Sequence, residues 1–154
     1  MRYIGAHTMS EFRGETVQFL ADSRIPLRLA TTTPSGWPIV VSLWFIHLAG
    51  SLWCATQDSA VIVGHLRNDP RCGFEVAPDR PPYRGVRGRA KATLHAARGE
   101  EILRTMLDRY LGGTESALAR QLLSKSQSEV AIEITPVSIH SWDYRKRMTG
   151  SVEE

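Results

Sequence analysis

Three short stretches of this chain combine residue types able to hold an anion or a flat aromatic ring. In the first, Thr56 precedes Gln57-Asp58-Ser59-Ala60, where an apolar strand gives way to a helix. The leading N–H groups of a helix lack intrahelical partners, so with the Thr56 and Ser59 hydroxyls they can cradle a phosphate. The same residues also read as an ordinary helix cap, and residue types alone leave both readings open. The second stretch is Pro81-Pro82-Tyr83-Arg84-Gly85-Val86-Arg87-Gly88-Arg89. Arginines beside strand glycines let a planar, anionic ligand approach the backbone; a basic strand edge that resists aggregation has the same composition. The third is Ser141-Trp142-Asp143-Tyr144-Arg145-Lys146-Arg147. Its indole and guanidinium groups suit stacking on a ring system and pairing with its negative atoms, although a terminal Trp142 can equally cap a core.

Other chemistry is missing. The chain has no Walker or Rossmann glycine loop, no Gly-x-Ser-x-Gly and no His-Glu-x-x-His. Glu100 and Glu101 stand at the start of a helical pattern, where the macrodipole favours carboxylates for structural reasons. Cys54, His65 and Cys72 are too dispersed for a metal cluster, so no metal ligands are predicted. His7, His47, His65, His95 and His140 form no axial-ligand motif. No nucleophile has its own base. An enzyme built from these residues takes its reactivity from a bound cofactor, and no catalytic side chain is assigned.

The elements that must position these stretches follow from periodicity. Thr8-Met9-Ser10-Glu11 reads as a capping box opening an N-terminal helix over 8–22. Leu27, Leu29 and Thr31 alternate as a first strand, and Pro34-Ser35-Gly36 turns the chain into a second, Pro38 to Leu48. There Ile39, Val41, Leu43 and Phe45 face one way and Val40, Ser42, Trp44 and Ile46 the other. Both faces are largely apolar, as in a barrel wall that also meets a partner. Leu52 to Thr56 forms a third strand, followed by a short helix with Val61, Ile62, His65 and Leu66 on its apolar side. Cys72 to Val76 and Arg84 to Leu94 are the next strands. Glu100 to Tyr110 is the clearest helix, and another spans about Ser116 to Leu123. Val130 to Ile134 and Val137 to Trp142 close the series, separated by Pro136. Hairpins with intervening short helices predict a mainly β fold, a six- to seven-stranded antiparallel barrel with helices outside, over 27–143. With no linker or repeat, 1–154 reads as one domain with a tail over 144–154.

Composition narrows the class. Hydrophobic residues are 42% and charged residues 23% of 154, which excludes a disordered chain. No apolar run reaches the roughly 18–20 residues of a membrane span, and Met1 to Ser10 lacks the features of a secretion signal. A cytoplasmic protein with two free cysteines is expected. The net charge of +3 is too even in its distribution for a nucleic-acid partner.

Taken in order, these pieces resemble the pyridoxamine 5′-phosphate oxidase-like flavin-binding split barrels, and particularly their small flavin- or deazaflavin-dependent oxidoreductases. The carrying features are Leu29-Ala30-Thr31, Gly36-Trp37-Pro38, Val40-Val41-Ser42-Leu43-Trp44-Phe45 and Leu52-Trp53-Cys54-Ala55-Thr56. His65-Leu66-Arg67-Asn68-Asp69-Pro70-Arg71, Pro82-Tyr83-Arg84-Gly85-Val86-Arg87-Gly88 and Ser141-Trp142-Asp143 complete the set. The resemblance implies a PNP-oxidase-like split barrel and a homodimer with cofactor at its interface. It implies that Val40, Val41, Ser42, Leu43, Trp44 and Phe45 lie along an isoalloxazine ring. Ala55, Thr56, Ser59, Val61 and Ile62 fall around the phosphate. Arg84, Gly85, Trp142 and Arg147 come from neighbouring elements, some of them the partner's.

One departure stands out. Relatives commonly carry Ser-Arg-Lys on the phosphate helix, and the aligned positions here are Ala60, Val61 and Ile62. Losing a charge-assisted contact costs about 1.5–3 kcal/mol. The leading expectation is an FMN-binding oxidoreductase that moves a hydride to or from a small-molecule substrate. The alternatives are a reductase using the deazaflavin coenzyme F-420 and a non-catalytic dimer that binds flavin or haem.

Overall fold

The computed structural model describes residues 9–146. Its elements are α1 (Glu15–Asp22), β1 (Leu27–Thr32), β2 (Pro38–Leu43), β3 (Ile46–Leu48), β4 (Ser51–Gln57), α2 (Val61–Asn68), β5 (Arg71–Val76), β6 (Arg84–His95), α3 (Gly99–Leu111), α4 (Ala117–Leu123) and β7 (Glu129–Asp143). The seven strands form one antiparallel sheet in the order β2-β1-β5-β6-β7-β4-β3. It coils into a barrel that does not close: β2 and β3 are consecutive in the chain yet stand at opposite edges.

The inner face carries the larger core. Leu27, Leu29, Leu52, Cys54, Val86, Ile132 and Ile134 alternate inward along their strands. Phe45 joins them with no exposure, and α2 plugs one end with Ile62, Val63 and Leu66. A second cluster lies on the other face of β4 and β7, where Trp53 and Ala131 pack under Ile102, Leu103, Met106 and Leu107 of α3. Gly99 permits that docking, because a Cβ there would fall 2.0 Å from the Glu129 carbonyl oxygen.

Four sequence expectations change. The N-terminal helix begins at Glu15, without a side-chain cap, rather than at a box from Thr8 to Glu11. Thr8 lies outside the described residues, and Glu11 pairs instead with Arg13 at 3.0 Å. The Met9 carbonyl accepts a hydrogen bond from the Ile139 N–H, and Phe12 is buried against Phe74. Tertiary contacts hold this segment off the helix. The second strand is two strands, β2 and β3, because the chain bends at Trp44-Phe45 to drive the Phe45 ring inward. Val61 is 73% exposed, and Val63 takes its place on the buried face of α2. The last two strands are one, since β7 absorbs Pro136 at a bulge: Ala90 faces Pro136 while Arg89 faces Ser138.

Candidate functional site

The split between β2 and β4 creates a cleft of about 420 Å³. Ser42, Leu43 and Trp44 come to it from the end of β2, and Ala55 and Thr56 from the end of β4. The sequence was read as placing these five residues around one ligand, and the fold brings them together. Trp44 is held by stacking on Tyr110, with centroids 5.0 Å apart and planes 8° from parallel. Tyr110 is fixed in turn, its hydroxyl donating to the Ile25 carbonyl at 3.0 Å and accepting from the Phe45 N–H at 3.3 Å.

The cleft also contains residues that pattern reading missed. Leu103 and Met106 of α3 and Leu118 and Leu122 of α4 form its apolar roof. Their helical spacing identified a buried face without saying that part of it borders a cavity. Glu129 opens β7 opposite Gln57 and is only 7% exposed. Gln57 Nε2 donates to its Oε1 at 2.6 Å, while Oε2 is buried without a partner. Burial raises the Glu129 carboxyl above the ordinary range, against the opposing pull of the Gln57 bond.

The start of α2 lies beside this cleft. Ala60 is the N-cap residue and no side chain caps the helix. Ser59 is exposed, and among the described residues neither its hydroxyl nor that of Thr56 takes part in a hydrogen bond. This first turn fits an anion through its backbone N–H groups and the two hydroxyls, without a basic side chain. Ile62 points into the core, only 6% exposed, so its side chain takes no part in that cradle. Phe45 is likewise a core residue, and of the predicted ring-contacting run only its backbone is near the cleft. Val40, 63% exposed, stands on the outer face of β2.

Arg84, Gly85 and Trp142 meet elsewhere. They line a second cavity, of about 230 Å³, with Phe19 of α1, over whose ring the Arg84 guanidinium lies at 4.9 Å. Gly85 is required by packing: a Cβ would stand 2.7 Å from Trp142 Cζ2 and 2.8 Å from the Val76 oxygen. The indole already occupies the space that a ligand was expected to use. Gly88 is similar, with a Cβ position 2.1 Å from the Ser138 oxygen. Arg147 lies outside the described residues.

Separation is the decisive geometric fact. Thr56 pairs with Val130 and Gly85 pairs with Trp142, twelve residues further along β7. At about 3.3 Å per residue that is roughly 40 Å along the strand. One chain therefore divides the expected site between its two ends.

A seven-stranded antiparallel sheet, incompletely closed and carrying its helices outside, defines a split β-barrel protein. Residues 12–143 match the pyridoxamine 5′-phosphate oxidase family, and the chain belongs to that family. Its fold is similar to that of the conserved hypothetical protein Rv2991 from Mycobacterium tuberculosis, with a TM-score of 0.77 and 22% identity over 94% of this chain and 93% of that one. An F420 reductase is similar at a TM-score of 0.66 and 20% identity, over 80% of this chain and 94% of that one. HutZ, the heme storage protein from Vibrio cholerae, is similar at a TM-score of 0.63 and 16% identity, over 82% and 91%. At these identities the likeness is one of fold. No curated protein matches the chain. No helix among the described residues is long and apolar enough to cross a membrane.

Proposed function

We propose that this protein is an FMN-binding oxidoreductase that moves a hydride to or from a small molecule, working as a homodimer with a cofactor at each end of its interface. The observation that carries this reading is the division of the expected site between the two ends of β7. A two-fold partner would bring Arg84, Gly85 and Trp142 of one subunit to the cleft of the other. The exposed apolar face of β2, with Val40, Ile39 and the neighbouring Trp37, suits such pairing. Ser42, Leu43 and Trp44 would flank the ring, and the N–H groups of Val61 and Ile62 with Thr56 and Ser59 would hold the phosphate. The flavin supplies the hydride chemistry when bound; the chain orients it and excludes water.

Absorbance of the purified protein, titration with FMN, and light scattering test the proposal together. Flavin bands that survive dialysis in a dimer are expected. A monomer that binds no flavin would sink it. The deazaflavin F-420 is a second reading, favoured by the lack of a basic side chain in the first turn of α2 and by the fold shared with an F420 reductase. A non-catalytic dimer for flavin or haem is a third. It is favoured by a cleft whose one carboxylate, Glu129, is buried and held by Gln57, and by the fold shared with HutZ.

A further inference from the structure

The outer face of the sheet carries a groove of about 660 Å³ that the cleft and the Trp142 cavity do not touch. Pairing across β2, β1, β5 and β6 sets Val40, Ala30, Gly73 and Arg89 in one row. The row beside it holds Arg28, Glu75 and Arg87. The first row makes the floor. Gly73 differs from Gly85 and Gly88, because a Cβ there would come no closer than 3.7 Å to Ala30 Cβ and the Gly88 oxygen. The space above it is open, and a flat ring can lie on bare backbone.

The three arginines have charge to spare. Arg28 Nη1 donates to Ser42 Oγ at 2.7 Å and Arg89 Nε to Ser138 Oγ at 3.0 Å. The Arg87 guanidinium lies 5.3 Å from the Trp142 ring centroid. Among the described residues none of the three forms an ion pair, not even with Glu75 between two of them. Three guanidiniums less one carboxylate leave the groove with two net positive charges, each arginine keeping several N–H donors unused. Like charges gathered in a concavity repel one another and attract an anion.

We propose that this groove is a binding site for a planar aromatic acid. Its body lies on Ala30 and Gly73, and its carboxylate, sulfonate or phosphate pairs with Arg28, Arg87 and Arg89. The site does not require the flavin reading. The probe is 1-anilinonaphthalene-8-sulfonate, compared with its neutral analogue N-phenyl-1-naphthylamine, by fluorescence titration of the whole protein. The sulfonate is expected to bind about tenfold tighter or better. That preference should disappear in the triple variant Arg28→Gln, Arg87→Gln, Arg89→Gln. It should survive in Arg13→Gln, Arg104→Gln, Arg120→Gln, which removes equal charge elsewhere. In the unaltered protein it should shrink as the Debye length falls from about 30 Å at 0.01 M salt to about 3 Å at 1 M. Equal binding of both probes overturns the proposal, and so does a preference that outlasts the first triple variant. Failure of FMN to bind would sink the cofactor reading alone, since the naphthalene probes carry no flavin.

Discussion

β2 and β4 flank the same split and have nearly the same apolar character, yet their environments are opposite. β4, Ser-Leu-Trp-Cys-Ala-Thr-Gln, begins with four consecutive buried residues. Leu52 and Cys54 fill the barrel while Trp53 and Ala55 lie under α3. β2, Pro-Ile-Val-Val-Ser-Leu, has no fully buried residue. The difference is a cover. Gly99 lets α3 drop onto the β4–β7 surface, and no element of the same chain crosses the outer face of β2. Apolar character on both faces thus predicts that a strand is covered twice, without saying which molecule supplies the second cover.

The largest expected effects lie where the chain covers itself. Trp53 is 4% exposed, donates from Nε1 to the Leu48 carbonyl, and has the Arg98 guanidinium 4.4 Å above its ring. Trp53→Ala should lose about 3–5 kcal/mol by urea unfolding. A loss below 1 kcal/mol would mean that the α3-covered cluster adds little and that the contrast with β2 is false. Next comes the first turn of α2, where adjacent residues face opposite ways. Ile62→Lys would bury an ammonium in the barrel core and should cost about 2–4 kcal/mol. Val61→Lys, on the exposed side, should stay within about 0.5 kcal/mol of the parent. If the phosphate sits at that turn, Val61→Lys should also raise affinity for FMN over riboflavin by about tenfold. Equal gains for both ligands would move the phosphate away from α2.

Glu129 gives a smaller, pH-dependent effect. Burial holds its carboxyl above the ordinary range, so the folded state binds a proton more readily than the unfolded chain. Where the folded state binds more protons, stability falls as pH rises. The loss begins in the ordinary carboxyl range and is complete above the raised native value. Glu129→Gln removes the titration while keeping an oxygen for Gln57. It should therefore melt higher than the parent at pH 7, with the advantage vanishing near pH 4 in paired thermal scans. A constant difference across that range would mean that burial of this carboxylate carries no cost.

Much of the barrel was legible because strand alternation and turn residues are local signals. Leu27-Leu29-Thr31 and Val130-Ile132-Ile134 faced inward as their period requires. The misplaced start of α1 has the opposite cause: Phe12 and Met9 are held by partners more than sixty residues away, which no capping motif encodes. Pro136 looked like a break because proline lacks an N–H, yet a bulge opposite Ala90 removes the need for one. In the cleft, Ser42 through Trp44 and Ala55-Thr56 were visible as strand ends, whereas Glu129 was hidden. A lone glutamate before an apolar strand has no signature until Gln57 pairs with it. The glycines misled for a similar reason. Gly85 and Gly88 serve Trp142 and the β7 backbone, and the open floor belongs to Gly73, which stood in no recognised motif.

Val40→Asp should have the smallest effect on folding and the most direct bearing on the β2–β4 contrast. Val40 is 63% exposed and pairs with Ala30 at the edge of the sheet, so in a single chain the substitution should change stability by no more than about 0.5 kcal/mol. At an interface the same carboxylate would be desolvated against apolar surface, and two-fold symmetry would apply that penalty twice. Light scattering should therefore report a dimer for the parent and a monomer for the variant at equal concentration, with matching thermal midpoints once the parent is diluted below its dissociation constant. FMN affinity should fall with the dimer, because Arg84 and Trp142 would no longer reach the cleft of a second chain. A variant that stays dimeric and keeps its flavin would leave β2 an ordinary exposed edge, and the cover for its second face would have to be sought elsewhere.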